Sequence, residues 1–307
     1  MEQRTRIAFR ATAAVTAIAA LSLAAAPAQA QNAGDKPKPK PIGGGKLFTE
    51  AATATPVAQN QIASATAECP PKTKAVAGGW ATTPPLVGSP PSAHYLIPYE
   101  SQMIANDQWR VSAVQYQGNF DSLTAYVYCQ VRKALLTASA TVLLPTTAHG
   151  ANEVEVECER GKVLSGGFLT EPPSVTNASV VTASHRAAKR IWSAAATRIA
   201  PQPPIPAGPQ TLTAFVYCSK VAPIRQRFET ATVVGPTGAT HLARPRNCQK
   251  RTKPRAGGFA VPHLTNGLLN AAVVHESRLV GNRWIAAASA TGAATNSTAT
   301  SFQYCRS

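Results

Sequence analysis

The chain has 307 residues, with 30 Lys and Arg against 14 Asp and Glu for a formal net charge of +16, and it carries six cysteines and 25 prolines. So many prolines exclude a protein built of long helices, because proline lacks the N–H that a helix interior needs. No cysteine forms a Cys-x-x-Cys pair or has a His at zinc-finger spacing, which excludes the common structural zinc sites and dithiol redox motifs.

Residues 1–30 read as an export signal. Arg4, Arg6 and Arg10 precede an uncharged apolar run to Ala26, and Ala28-Gln29-Ala30 predicts cleavage after Ala30. The run is too short for a membrane span and nothing later offers another, so a secreted, extracellular product is expected. Residues 31–46, with Lys-Pro-Lys-Pro-Lys-Pro and three glycines, have no apolar face to bury and predict a solvated spacer. In an oxidising compartment six regularly spaced cysteines predict a disulfide framework.

The rest divides into three repeats, at 47–134, 135–226 and 227–307. Cys69, Cys158 and Cys248 open corresponding segments, and Cys129, Cys218 and Cys305 close them. Pairing first with last closes loops of about 60 residues, each bridge contributing roughly 4 kcal/mol on the chain-entropy model. In chain order, each repeat begins near a proline (Pro56, Pro145, Pro236) and passes its opening Cys. It then reaches Gly-Gly-aromatic at Gly78-Gly79-Trp80, Gly166-Gly167-Phe168 and Gly257-Gly258-Phe259. Paired glycines in a strand predict a bulge or a close backbone approach. Next comes a strand of Trp alternating with small residues: Trp109, Val111, Ala113; Trp192, Ala194, Ala196; Trp284, Ala286, Ala288. The closing strand alternates too. Its Cys face is apolar in two repeats but reads Ala299, Ser301, Gln303 in the third, whereas its other face is aromatic throughout, ending in Tyr128, Tyr217 and Tyr304. The aromatic face is therefore the expected common core. Phe48-Thr49-Glu50 is matched to Phe228-Glu229-Thr230.

The fold class is thus all-β, three tandem disulfide-closed β-sheet repeats. They could stand in a row or wrap as a pseudo-threefold β-prism, and a shared face that needs burial favours the prism. The pattern Cys, Gly-Gly-aromatic, Trp with alternating Ala, aromatic-x-Tyr-Cys resembles repeats of uncharacterised secreted actinobacterial proteins. That resemblance implies export and repetition. The glycine- and Cys-bearing threefold plan is also similar to vitelline membrane outer layer protein, which implies a β-prism architecture only.

Charge is uneven after the signal: the spacer carries +3, the repeats 0, +3 and +8. In the third repeat Arg244, Arg246, Lys250, Arg251, Lys253 and Arg255 surround Cys248 and form the candidate anion-binding residues. Such a run attracts anionic envelope polymer or acidic polysaccharide, and outside the cell nucleic acid is an unlikely partner. The competing reading is a solvated, solubilising surface. Tyr95 and Tyr99, in a proline-rich segment, are candidates for sugar stacking. His94, His185 and His275 could mark equivalent sites, but without ligands at coordination spacing they read as structural, and no metal or other cofactor is expected. Glu153, Glu155, Glu157 and Glu159 alternate on one face, either binding a cation or forming a charged edge that resists aggregation; pairing with Arg244 and Arg246 is a further option. No Gly-x-Ser-x-Gly, phosphate-binding loop or papain-like cysteine is present, so no catalytic residue is assigned. The leading expectation is a monomeric, non-catalytic binding or envelope-associated protein. The alternatives are a structural or protein-interaction module and a hydrolase with an unrecognised site.

Overall fold

The computed structural model describes residues 47–306 apart from 57, 59, 84–94, 118–120, 133, 148, 172–177, 200–208, 221–224, 237, 250, 251, 264–270, 293 and 294. The expected signal and spacer therefore lie outside the described residues, as do His94, Lys250 and Arg251. Among the described residues there are eighteen strands and no helix. The first repeat forms β1 (Phe48–Ala54), β2 (Ile62–Glu68), β3 (Lys74–Thr83), β4 (Tyr95–Ala105), β5 (Gln108–Gln117) and β6 (Ser122–Gln130). The second forms β7 (Leu136–Leu144), β8 (Ala151–Glu157), β9 (Lys162–Thr170), β10 (Ala178–Arg186), β11 (Ile191–Ile199) and β12 (Gln210–Ser219). The third forms β13 (Arg225–Val234), β14 (Thr240–Ala243), β15 (Lys253–Ala260), β16 (Ala272–Val280), β17 (Arg283–Ala290) and β18 (Asn296–Arg306).

These strands make three six-stranded antiparallel sheets, β1-β6-β3-β16-β17-β14, β13-β18-β15-β10-β11-β8 and β2-β5-β4-β9-β12-β7. No sheet belongs to one repeat. Each repeat gives three strands to one sheet and three to another, so the first joins the third, the third the second, and the second the first. The edge strands β2 and β8 follow side-chain alternation, whereas β11 is buried from Trp192 to Arg198 and β17 from Trp284 to Ala290. In β2, Ala63, Ala65 and Ala67 face in and their neighbours face out, and in β8 Val154 and Val156 do the same between exposed glutamates.

The glycine pairs are what let the sheets join. A Cβ on Gly78, Gly166 or Gly257 would lie 2.1, 2.4 or 2.0 Å from the ring of Trp109, Trp192 or Trp284. A Cβ on Gly79, Gly167 or Gly258 would lie 2.4, 2.2 or 2.3 Å from the backbone oxygen of Ser277, Ser101 or Ser184 in the neighbouring repeat. The first glycine thus seats the repeat's own indole, and the second admits the next repeat's backbone. At these junctions Trp80 stands opposite Ser277, Phe168 opposite Ser101 and Phe259 opposite Ser184, and each junction spans two residue pairs. The same serines accept the indole N–H of Trp284, Trp109 and Trp192 at 3.1, 3.0 and 3.1 Å.

Trp80, Phe168 and Phe259 meet edge to face where the three repeats come together, with ring centroids 5.6, 5.2 and 6.1 Å apart. A row of separate sheets would not bring all three together.

The closing strands differ from expectation. The face carrying the cysteine is the buried one: Leu123, Ala125 and Val127 in β6, Leu212, Ala214 and Val216 in β12, and Ala299, Ser301 and Gln303 in β18 are all fully buried. The polar pair in β18 is accommodated by hydrogen bonds. Ser301 Oγ donates to the Trp284 carbonyl at 3.1 Å, and Gln303 Oε1 accepts the Trp284 N–H at 2.7 Å. The aromatic face divides. Tyr126, Phe215 and Phe302 are half-buried on the outside, whereas Tyr128, Tyr217 and Tyr304 insert between repeats. The hydroxyls of these tyrosines accept the backbone N–H groups of Leu279, Met103 and Arg186 at 2.8, 2.8 and 2.6 Å.

Candidate functional site

The three disulfides, Cys69–Cys129, Cys158–Cys218 and Cys248–Cys305, form at one end of the molecule. Register places them there. β3 leaves this end and pairs antiparallel with β16, which runs back toward it, and the junctions of β9 with β4 and of β15 with β10 repeat the relation. At this end Lys74 lies opposite Gln130, Lys162 opposite Ser219, and Lys253 opposite Arg306. The hairpin joining β10 to β11 adds Lys189 and Arg190, both exposed, and β17 opens on Arg283.

Part of this charge is engaged. Arg190 donates to the Cys158 carbonyl at 3.0 Å and pairs with Glu157 at 3.1 Å, while Lys74 stands 3.8 Å from Asp107. Arg283 Nε donates to Asn247 at 2.8 Å, and Arg225 donates to Gln249. Arg132, just beyond β6, reaches across to Ser219 of the second repeat at 3.1 Å. The basic character of this end therefore comes from all three repeats, which the sequence, with its cations concentrated in the third repeat, did not reveal.

The basic run around Cys248 is not one exposed stripe. Arg244 and Arg246 are exposed, and the Arg244 N–H donates to Glu229 at 3.4 Å; Lys253 is half-buried. Arg255 is only 6% exposed. It occupies a bulge in β15 where the other repeats place the core residues Val76 and Leu164, so it is not part of the outward-facing set. Its guanidinium is held below the ordinary value, first by burial and then by the charge of Arg306.

The proposed sugar-stacking pair also changes. Tyr95 opens β4, but its side chain lies outside what is described, and Tyr99 is 5% exposed. Burial raises the Tyr99 phenol, which hydrogen-bonds to Ser112. A ring buried in this way offers no face to a sugar.

The described histidines do not converge. His185 lies on an outer sheet face, stacked on Phe302 at 4.6 Å, whereas His275 is buried with Nδ1 3.1 Å from Ser289 Oγ. Glu153, Glu155 and Glu157 are exposed on β8, an edge strand, with Glu157 paired to Arg190 rather than to Arg244 or Arg246, and with Ser193 donating to Glu153. Among the described residues no three His, Cys, Asp or Glu gather as a metal-ligand group. The buried Glu100 accepts from Arg110, Ser112 and Gln102 at 2.6 Å each, a satisfied network on β4 and β5.

One exposed feature was missed. Phe228 is 67% exposed and stands opposite Phe302, beyond which His185 stacks over the position of Gly258. Register equates Phe228 with Ala51 and Ser139, since all three lie opposite the outward aromatic of the closing strand. The match of Phe48 to Phe228 is therefore off by three residues: Phe48 is equivalent to Leu136 and Arg225. The recurring Thr pairs, Thr53 with Thr124, Thr141 with Thr213 and Thr230 with Thr300, carried the correct alignment.

A scan against protein-family models returns no match for this chain, and a search of curated proteins returns none either.

Proposed function

We propose that this protein is exported and acts outside the cell as a non-catalytic binding protein, holding an anionic envelope polymer or acidic polysaccharide against its disulfide end. The observation that carries the reading is the gathering there of cations from all three repeats, Lys74, Lys162, Arg190, Lys253 and Arg306 among them. A basic face of this kind binds polyanions through counterion release. Three disulfides in an all-β fold fit an extracellular protein. The cyclic joining of the repeats and the meeting of Trp80, Phe168 and Phe259 support a prism about a pseudo-threefold axis. Export itself is tested by N-terminal sequencing of protein from the culture medium, with Gln31 expected as the first residue.

Binding of the mature protein to a purified anionic wall polymer and to a neutral glucan, at low and high salt, tests the function. Binding to the anionic polymer alone, weakening steeply with salt and with Lys162→Glu combined with Lys253→Glu, is expected. Equal binding to both polymers, or indifference to salt, overturns it.

A second reading, a protein-interaction module, draws on the exposed Phe228. It is favoured over the first if Phe228→Ser abolishes retention on the cell envelope while the lysine variants do not.

A further inference from the structure

The outer face of the sheet β13-β18-β15-β10-β11-β8 carries a run of three rings. His185 stacks on Phe302 with centroids 4.6 Å apart and planes inclined by 29°, and Phe302 lies 6.3 Å from Phe228 at 45°. Gly258, opposite Phe302, makes the stack possible, since a Cβ there would lie 2.9 Å from the His185 Cα. His185 and Phe302 are half-buried, and Phe228 ends the run 67% exposed. Of the three equivalent edge strands only β13 has a ring at this position, where β1 has Ala51 and β7 has Ser139. In the first repeat the outward ring of Tyr126 is instead covered by the Arg278 guanidinium, 5.0 Å from its centroid and held by Glu276 at 2.5 Å.

What surrounds Phe228 is polar and, on one side, basic. Two residues on, the exposed Thr230 stands opposite Thr300 with hydroxyls 2.9 Å apart, a pair that keeps acceptor capacity for a ligand. Three residues back, about 10 Å along the strand, the exposed Arg225 stands opposite Cys305 at the disulfide end, where it donates to the neutral Gln249. Lys253, opposite Arg306, continues the basic side on β15. Carboxylates are kept away. Glu229 alternates to the opposite face and accepts the Arg244 N–H, while Glu153 and Glu155 lie on β8, five strands across, roughly 24 Å away.

We infer that Phe228, braced by Phe302 and His185, is a stacking subsite for a pyranose ring of an acidic polysaccharide whose charged groups lie against the disulfide end. The inference rests on the reading of that end as a polyanion-binding face and names the class of polyanion it selects. An aromatic face is the negative side of its quadrupole and attracts the polarised C–H bonds of a sugar ring. Phenylalanine has only two side-chain torsions, so holding it against a ligand costs little entropy. An open-chain polyol phosphate offers charge without a ring, and a neutral glucan a ring without charge, whereas an acidic polysaccharide offers both. Glu153 and Glu155 repel such a chain from the far side of the sheet, so it leaves Phe228 toward Arg225.

The test titrates the mature, disulfide-bonded protein calorimetrically with polygalacturonate and with poly(glycerol phosphate), at low and raised salt. Both should bind at low salt, polygalacturonate being the less salt-sensitive because stacking is not screened. Phe228→Ser places at this position the residue type of Ser139 and should fold with unchanged Tm. It should weaken polygalacturonate binding at least fivefold and leave poly(glycerol phosphate) binding as it was. Phe228→Trp should keep the affinity, and its added indole emission should shift to the blue with polygalacturonate alone. Equal losses for both polymers in Phe228→Ser, or no loss for either, overturn the subsite. Loss of envelope retention with polygalacturonate binding intact overturns it in favour of a protein partner. If Phe228→Ser changes neither polymer while both still bind with steep salt dependence, the basic-face reading stands without the subsite. If the unsubstituted protein binds neither polymer, that reading falls and the subsite with it.

Discussion

The Tyr128 hydroxyl, at the end of the first repeat, accepts the backbone N–H of Leu279 in the third at 2.8 Å while the ring itself is buried. Tyr217 and Tyr304 make the same bond at the other two junctions. Tyr128→Phe removes the acceptor and keeps the shape, leaving a buried N–H without its partner. A loss of about 1–3 kcal/mol is expected, measured by urea unfolding. A value near zero would mean that water reaches the N–H and that the junction is looser than its burial indicates.

Substitution of the two glycines in each pair should separate their roles. Gly79→Ala presses a methyl on the Ser277 carbonyl, 2.4 Å from the ideal Cβ, and Gly78→Ala presses one on the Trp109 ring at 2.1 Å. Both should cost about 3 kcal/mol or more. Gly79→Ala alone should increase hydrogen exchange in β16, because it opens the junction rather than the indole seat. At Gly281 nothing lies within 4 Å but φ is +60°, so Gly281→Ala should cost only about 1 kcal/mol, through backbone strain.

Reductant should not open the three bridges together. Cys69, Cys129, Cys158, Cys218 and Cys305 are buried, whereas Cys248 is half-exposed. Thiol exchange needs access to sulfur, so Cys248–Cys305 should be reduced first. Alkylation followed by mass spectrometry under graded dithiothreitol would report the order. Loss of any one bridge should lower stability by roughly 4 kcal/mol on the chain-entropy model, since the separations of 60, 60 and 57 residues are nearly equal.

Acid should weaken the fold through His275, whose burial takes it from 6.5 down to about 4. Between those values the unfolded chain binds a proton that the native protein does not. The contribution is therefore complete above about pH 6.5 and is lost as pH falls toward 4, roughly 3 kcal/mol in all. His185, also lowered mainly by burial, acts in the same direction. Unfolding midpoints in urea measured from pH 7 to pH 4 should show this slope, and His275→Gln should remove most of it.

Repetition, disulfides and strand character were legible in the sequence because cysteine spacing and period-two alternation are local signals. Which strands become neighbours was not, because alternation in β3 or β16 does not name a partner. Ser301 and Gln303 made the Cys face of β18 look solvent-facing, since the Trp284 groups that satisfy them are remote in sequence. Arg255 read as part of a surface run for a similar reason: proximity along the chain does not show that a bulge turns one member inward. The basic end was only partly visible, because Lys162, Arg190 and Arg306 come from two separate strands and a hairpin and no stretch of chain lists them together.

The circular sharing of strands fixes the number of repeats. In a stacked array each unit touches only its neighbours, so copies can be gained or lost at the ends while the rest stands. Here the third repeat returns to the first, and deleting one would leave two half-sheets without their complements. Change in such a protein must come by substitution within its three parts, and not by growth or shortening.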